Sequence, residues 1–391
     1  MEGIHLARIG AGVFLVSVMV GCNPEVLPGE DDLNPLVEGL ELSFIGNTPV
    51  REVPDSTTKE MEVNGEELRS IFKDLKMTHF HYSLFQKNRD REVMLKGLEK
   101  LVSEVSEDES LRLIIDQNLG RPVTRAQIQE LEEPQNGMKF QDRYGRLAKT
   151  TSAYAAIART EAIADIKKFA EWSKQAPKLI SGIMEDDFLA KRKGATLLKR
   201  DFFKQLCQEA RAIQPTFQIS VVIYCFSQPS VDPESEAAVY ASFLNHEYDG
   251  TSPTRQISTL VDYLSDPEVD ACINEVAIYN QGEGATPGMM QPWTENDFAT
   301  SKHCMDVAKE KLPGKKLTQG VYLTAYDTLP LEGRIQNLEY ALKTGAQSLL
   351  FFYTPTKPYQ TAAQNEEEVN DKVRAYLKKR LGMGEELASS E

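Results

Sequence analysis

The chain has 391 residues, 41% of them hydrophobic, so a large core is within reach. Asp and Glu number 59 against 44 Lys and Arg, for a formal charge of -15 and a pI near 5.0. That balance argues against nucleic acid as a partner and suits a solvated acidic exterior.

The N-terminus sets Arg8 against Glu2, follows with an apolar run from Val13 to Val20, and reaches Met19-Val20-Gly21-Cys22. A run this short reads as a signal peptide over 1–21 rather than a permanent membrane helix. Gly21 before a cysteine resembles the lipobox of bacterial lipoproteins, with Met19 where Leu is usual. The resemblance implies that Cys22 becomes a lipidated N-terminus, holding an exported protein to a membrane; the alternative is an ordinary cleaved signal. Asn23, rather than Asp, after the cysteine leans toward the outer membrane or cell surface. Residues 22–39, rich in Pro, Gly and acids, read as a tether, and 382–391 as a polar, disordered tail.

Between them, residues 40–381, roughly the 340 that one α/β barrel with long loops needs, alternate two kinds of segment. Apolar runs of strand length are predicted at Leu40–Gly46, Thr78–Phe85, Leu111–Asn118, Leu179–Asp186, Phe217–Phe226, Ala271–Tyr279, Thr318–Tyr326 and Gln347–Tyr353. Helical periods follow at Glu66–Lys76, Arg91–Val105, Ser152–Ser173, Ala195–Ile213, Ile257–Leu264, Asn296–Lys311, Gly333–Thr344 and Glu366–Leu381. In the third of these, Ala155, Ala158, Ala162, Ile166, Phe169 and Ala170 recur at mostly three and four residues, one buried stripe. Strand and helix in strict alternation predict an α/β protein, a single-domain (β/α)8 TIM barrel.

Long connections at 119–151, 227–256 and 280–295 all follow strands, which in a barrel puts them on the catalytic face. The last carries Gly282, Gly284, Pro287 and Gly288 before Trp293, a glycine-rich loop whose aromatic could fold over a sugar or serve a plain connection. Cys207, Cys225, Cys272 and Cys304 form no CxxC pair and fall in apolar or helical patterns, so buried thiols are expected rather than metal ligands. An even number in an exported chain also permits disulfides, without fixing a pairing.

The chemistry concentrates in Gly182-Ile183-Met184-Glu185-Asp186-Asp187-Phe188, three carboxylates ending the fourth run. Acids packed together repel, and such repulsion lifts one pKa toward the value that a general acid needs. Strand alternation groups Asp186 with Gly182 and Met184, and Glu185 with Asp187. Only one set faces the barrel axis. The preferred pairing is Asp186 inward with Asp187 joining where the strand bends; the alternatives are Glu185 inward with Asp187, or acids that merely cap a helix or pair with Lys191, Arg192 and Lys193.

This motif on a fourth barrel strand resembles the acidic motifs of barrel glycoside hydrolases, and its adjacent acids are similar to those of hexosaminidases and O-GlcNAc hydrolases. The resemblance implies that Asp186 orients an acetamido group while Asp187 protonates the leaving oxygen. A two-carboxylate mechanism needs a second acid about 5 Å away for retention or about 6.5–9.5 Å for inversion. Asp116, Glu275 and Asp327 are the candidates, and Asp116, ending the third run, is best placed. No Glu ends the seventh run, where many barrel glycosidases keep their nucleophile. That departure favours substrate assistance, or no catalysis.

His81, Tyr224, Tyr279, Tyr322 and Tyr326 gather at other strand ends and, with Trp293, are the predicted sugar-binding side chains. His79 and His81 form a His-x-His pair, but His246 and His303 do not end later strands, so no metal site is expected. A phosphate-cradling glycine loop and a Gly-x-Ser-x-Gly elbow are both missing from the sequence, and no cofactor is expected. The sequence thus reads as an exported, lipid-anchored glycoside hydrolase; the alternative is a non-catalytic carbohydrate-binding lipoprotein on a barrel scaffold.

Overall fold

A computed structural model describes residues 39–46, 50–52, 61–63, 65–84, 91–105, 111–117, 159–160, 162–185, 200–225, 253–280, 292–323, 329–352 and 366–381. Ten strands are described: β1 (Glu41–Gly46), β2 (Val50–Glu52), β3 (Met61–Val63), β4 (His79–Ser83), β5 (Leu113–Gln117), β6 (Ile180–Glu185), β7 (Gln218–Tyr224), β8 (Ile273–Tyr279), β9 (Lys316–Tyr322) and β10 (Ser348–Phe352). The helices are α1 (Gly65–Leu75), α2 (Arg91–Val105), α3 (162–175), α4 (Arg200–Ile213), α5 (Arg255–Leu264), α6 (Pro267–Cys272), α7 (Glu295–Lys311), α8 (Leu331–Lys343) and α9 (Glu366–Arg380).

The strands predicted from the eight apolar runs close into one parallel barrel in the order β1-β10-β9-β8-β7-β6-β5-β4, with helices between them. The fold is a (β/α)8 TIM barrel. β2 and β3 form a separate antiparallel hairpin that the sequence reading missed, because three-residue strands are too short to show a period. It also ran the sixth strand through Ala271 and Cys272, which instead end α6. Asp266 caps that helix by accepting from the Glu268 N–H at 3.0 Å, and Pro267 occupies its first turn.

Two apolar layers follow from strand alternation. Phe44, Phe80, Ile115, Ile183, Val221, Ile278, Val321 and Phe351 face the helices and pack on Leu98, Phe169, Phe203, Leu260, Met305 and Leu338. Ile45, Ile114, Met184, Val222, Ala277 and Leu350 fill the barrel itself, joined by Tyr224, Tyr279 and Tyr322. The phase of every strand is therefore set. At the interior position Gly182, a Cβ would lie 2.0 Å from the Gln218 carbonyl oxygen, so only glycine lets β6 come this close to β7.

The last helix completes the outer layer. Arg374 and Lys378 of α9 pair with Asp74 of α1, while Arg380 and the Tyr376 hydroxyl both donate to Glu339 of α8 at 2.9 and 2.8 Å. Cys225, just past β7, is bonded to Cys304 of α7, with the two Cα atoms 6.5 Å apart. Cys207 and Cys272 remain as buried thiols. No helix among the described residues is long and apolar enough to cross a membrane.

Candidate functional site

Strand pairing tilts the barrel, so inward residues lie in layers that climb from the strands' N-terminal ends to their C-terminal ends. At the lower end, Glu275 accepts from Ser220 Oγ at 3.2 Å and from the Thr318 hydroxyl, with Lys316 Nζ 3.7 Å away. Lys316 is also 2.5 Å from Glu41. Glu275 lies four residues before Tyr279, roughly 13 Å lower at the rise of a strand. Its carboxylate is spent on the polar floor, which removes Glu275 from the acids available at the mouth.

Above this floor sit His81 of β4 and Asp116 of β5, 1% and 2% exposed. Asp116 pairs in register with Ser83 on one side and Met184 on the other, so it faces inward close to the end of its strand. Among the described residues it is the one inward-facing carboxylate in the C-terminal half. The Nδ1 atom of His81 finds no hydrogen-bond partner in its buried position. Burial, then the nearby His79 and Lys316 charges, hold the His81 imidazole well below its ordinary pKa of 6.5; burial and Lys316 lower His79 too. His81 is thus a neutral ring inside the barrel, able to donate from one nitrogen and accept at the other.

Across from Asp116, three tyrosines stand on consecutive strands. The Tyr279 ring lies between Tyr224 and Tyr322, at centroid separations of 5.9 and 5.8 Å. Tyr279 is fully buried, whereas the outer two each keep 6% of their surface. Gly320 explains the arrangement: a Cβ there would sit 2.0 Å from Tyr279 Cε1, so the ring settles directly on the β9 backbone. Tyr224 is fixed in turn through its backbone N–H, which donates to Gln256 Oε1 at 2.8 Å. The result is a wall of aromatic rings facing a carboxylate and an imidazole.

Two predicted residues stand elsewhere. Glu185 is completely buried, but its phase is that of Ile183, and it pairs in register with helix-facing Val221. It therefore lies on the helix side of the sheet, which corrects the alternative that had Glu185 facing the axis. Trp293 is 2% exposed within the outer core, donating from its indole N–H to the Asn280 carbonyl at 3.1 Å. Its backbone N–H donates to Asn337 Oδ1 at 2.6 Å and its carbonyl accepts from Gln336 at 2.9 Å. Held on both edges, Trp293 anchors the start of α7 and offers no open ring face, so the expected sugar platform becomes a structural anchor. Asp186, Asp187, Tyr326 and Cys22 lie outside the described residues, as does Asp327.

Asn280 is a contributor that sequence reasoning missed. Its side-chain amide donates to the Asp297 carbonyl at 3.0 Å and to Ser301 Oγ at 2.9 Å, tying the end of β8 to α7. A polar residue immediately after an apolar strand was the available signal. Among the described residues, no three His, Cys, Asp or Glu side chains gather as a metal site.

No protein-family model matches the sequence, and no curated protein matches it. Solved structures do. A family 1 β-glucosidase from Thermotoga maritima superposes with a TM-score of 0.48 at 10% identity, covering 88% of this chain and 99% of that one. A candidate α-L-fucosidase from Bacteroides thetaiotaomicron gives 0.46 at 12% identity over 95% and 99%. Haloferax volcanii malate synthase gives 0.44 at 11% identity over 82% and 76%.

Proposed function

We propose that the protein acts on carbohydrate at the C-terminal mouth of the barrel, as a glycoside hydrolase with Asp187 as general acid and Asp186 orienting the substrate. The observation that carries this reading is the division of the inner wall, with tyrosines on β7, β8 and β9 facing an inward carboxylate on β5. Aromatic rings stack on the C–H faces of a sugar, a part that falls to Tyr224 and Tyr322 because Tyr279 is fully buried between them, and a carboxylate and a neutral imidazole take its hydroxyls. In sequence, the inward phase of Gly182 and Met184 passes to position 186, which supports Asp186 as the acid nearest the axis. Asp116 belongs to the same end of the barrel, on the neighbouring strand.

A binding protein without catalysis is the second reading, and one observation favours it. Asp116 is almost wholly enclosed, and β9 ends at Tyr322 with Leu323 after it, so among the described residues no carboxylate takes the position usual for a barrel nucleophile. A panel of oligosaccharides and aryl glycosides separates the readings. Turnover of any member supports hydrolysis; saturable sugar binding without turnover leaves the binder, and neither overturns both.

We also infer export and lipid attachment through Cys22, with residues 22–39 as tether. The Cys225–Cys304 disulfide supports export, because such bonds persist in oxidising compartments. Cys22→Ser should move the protein from the membrane fraction to the soluble one and abolish incorporation of labelled fatty acid. A variant that stays membrane-bound, beside a wild type that takes up no label, contradicts it.

A further inference from the structure

We propose that Cys225 and Cys304 are positioning residues: their disulfide latches the end of β7 to the helix that already holds the end of β8, and the aromatic wall reaches its binding geometry only once that bond has closed. The proposal rests on the carbohydrate reading for what the wall binds, and on the structure alone for how the wall is held. Tyr279 is followed by Asn280, whose amide donates to the Asp297 carbonyl at 3.0 Å and to Ser301 Oγ at 2.9 Å. Tyr224 is followed by Cys225, bonded to Cys304. Asp297, Ser301 and Cys304 stand four and three residues apart on one face of α7, and all three are completely buried. One helix face thus grips two neighbouring strands directly beyond their rings, whose centroids are 5.9 Å apart.

The two grips differ in kind. Hydrogen bonds hold β8 to α7 in either redox state. The end of β7 has hydrogen bonds of its own, from the Tyr224 N–H to Gln256 Oε1 and from the Cys225 N–H to the Tyr279 carbonyl, both at 2.8 Å, but its tie to α7 is covalent. Opening the bond therefore loosens Tyr224 while β8 stays on the helix. A wall held in one arrangement binds a sugar more tightly than a mobile one, because less ordering is lost on binding.

Closure takes an oxidant that carries a reactive disulfide, a reagent class found in oxidising compartments. One cysteine thiolate attacks that disulfide and displaces one of its sulfurs as thiolate. The second cysteine thiolate attacks the protein sulfur of the mixed disulfide and displaces the other. The protein gives up two protons and two electrons, and the oxidant leaves as a dithiol. Both cysteines are fully buried in the folded chain, so the closed latch is shielded from reductants.

The full-length wild type is compared in its oxidised form and after reduction by a phosphine in mild denaturant, with return to buffer under reductant. Alkylation in strong denaturant verifies the states: of Cys207, Cys225, Cys272 and Cys304, the oxidised protein takes label at Cys207 and Cys272, the reduced protein at all four. Hydrogen–deuterium exchange and near-ultraviolet tyrosine circular dichroism then report on the wall without any sugar. Reduction should speed exchange of the Tyr224 and Cys225 amides at least about tenfold and shrink the tyrosine signal, while Val221, lower on the same strand, keeps its rate. Cys225→Ala/Cys304→Ala should match the reduced protein. Unchanged exchange at Tyr224 and Cys225 overturns the proposal. Equal acceleration at Val221, or loss of the whole fold on reduction, overturns it too, since the bond then supports the barrel at large and does not position the wall. A sugar bound by the oxidised protein should bind the reduced one at least about tenfold more weakly, and equal affinity contradicts the latch. If neither form binds any sugar, the carbohydrate reading fails while exchange and dichroism still decide the latch.

Discussion

Gly320→Ala should destabilise the protein by about 1–2 kcal/mol, although alanine is ordinarily the better strand residue. The added Cβ would stand 2.0 Å from Cε1 and 2.1 Å from Cδ1 of Tyr279, against roughly 3.5–4.0 Å for relaxed carbon contact. Tyr279 has nowhere to go, being fully buried and flanked by Tyr224 and Tyr322. Overpacking a closed core costs about 1–3 kcal/mol. Removing a glycine from a strand interior returns only about 0.5–1 kcal/mol, so the clash wins. A net loss near 1.4 kcal/mol is about a tenfold fall in the folding equilibrium. Chemical denaturation of Gly320→Ala, Tyr279→Leu and the double variant forms a cycle that isolates the contact. With leucine in place of the ring, Gly320→Ala should become neutral or favourable, a coupling of about 1 kcal/mol or more. Additive costs, or a Gly320→Ala protein as stable as wild type, would refute the seating of the ring on the β9 backbone.

Lys315 caps the end of α6, its ammonium donating to the carbonyls of Asp270 and Ile273 at 2.7 and 2.8 Å while pairing with the Asp270 carboxylate. Lys315→Met should cost about 1–2 kcal/mol in thermal melts, with Lys315→Arg recovering part; an unchanged midpoint counts against the cap. His79 and His81 both have folded-state pKa values depressed below 6.5. Below that pH the unfolded chain binds protons that the folded one refuses, so stability is complete above pH 6.5 and declines as pH falls, by up to about 1.4 kcal/mol per pH unit for each group. His81→Leu should flatten that acid-side decline while preserving stability near neutrality, since it also removes a buried nitrogen without a partner. An equally steep decline in the variant would show that His81 is not its source.

The barrel was legible because parallel strands buried on both faces read as near-continuous apolar runs. Each of the eight runs holds a barrel strand, and Arg91–Val105 is a helix at the bounds expected. Strand ends were less legible: the seventh strand was expected from Thr318 but begins at Lys316, a charged residue tolerated because it meets Glu41 and Glu275 beneath the barrel. Alternation told which residues share a face but not which face is inside, and that single bit decides Glu185. Depth within the barrel is set by strand pairing, so Glu275 could not be assigned to the floor from sequence. Trp293 looked like a platform because its loop is rich in glycine; its burial depends on Asn280 and Asn337, 13 and 44 residues away. The Cys225–Cys304 pairing, across 79 residues, carries no local signal at all.

The measurement that bears most directly on the proposed chemistry is the dependence of kcat/KM on leaving-group pKa, for wild type and Asp187→Asn, across a series of glycosides. A general acid contributes roughly 100- to 10,000-fold where the departing oxygen is a poor leaving group and little where it is an activated phenol. Asp187→Asn should therefore steepen the dependence, nearly sparing activated aryl glycosides, while Asp186→Asn lowers turnover across the series. Parallel lines for wild type and Asp187→Asn, with the same loss on every substrate, would remove Asp187 as the acid and contradict the mechanism.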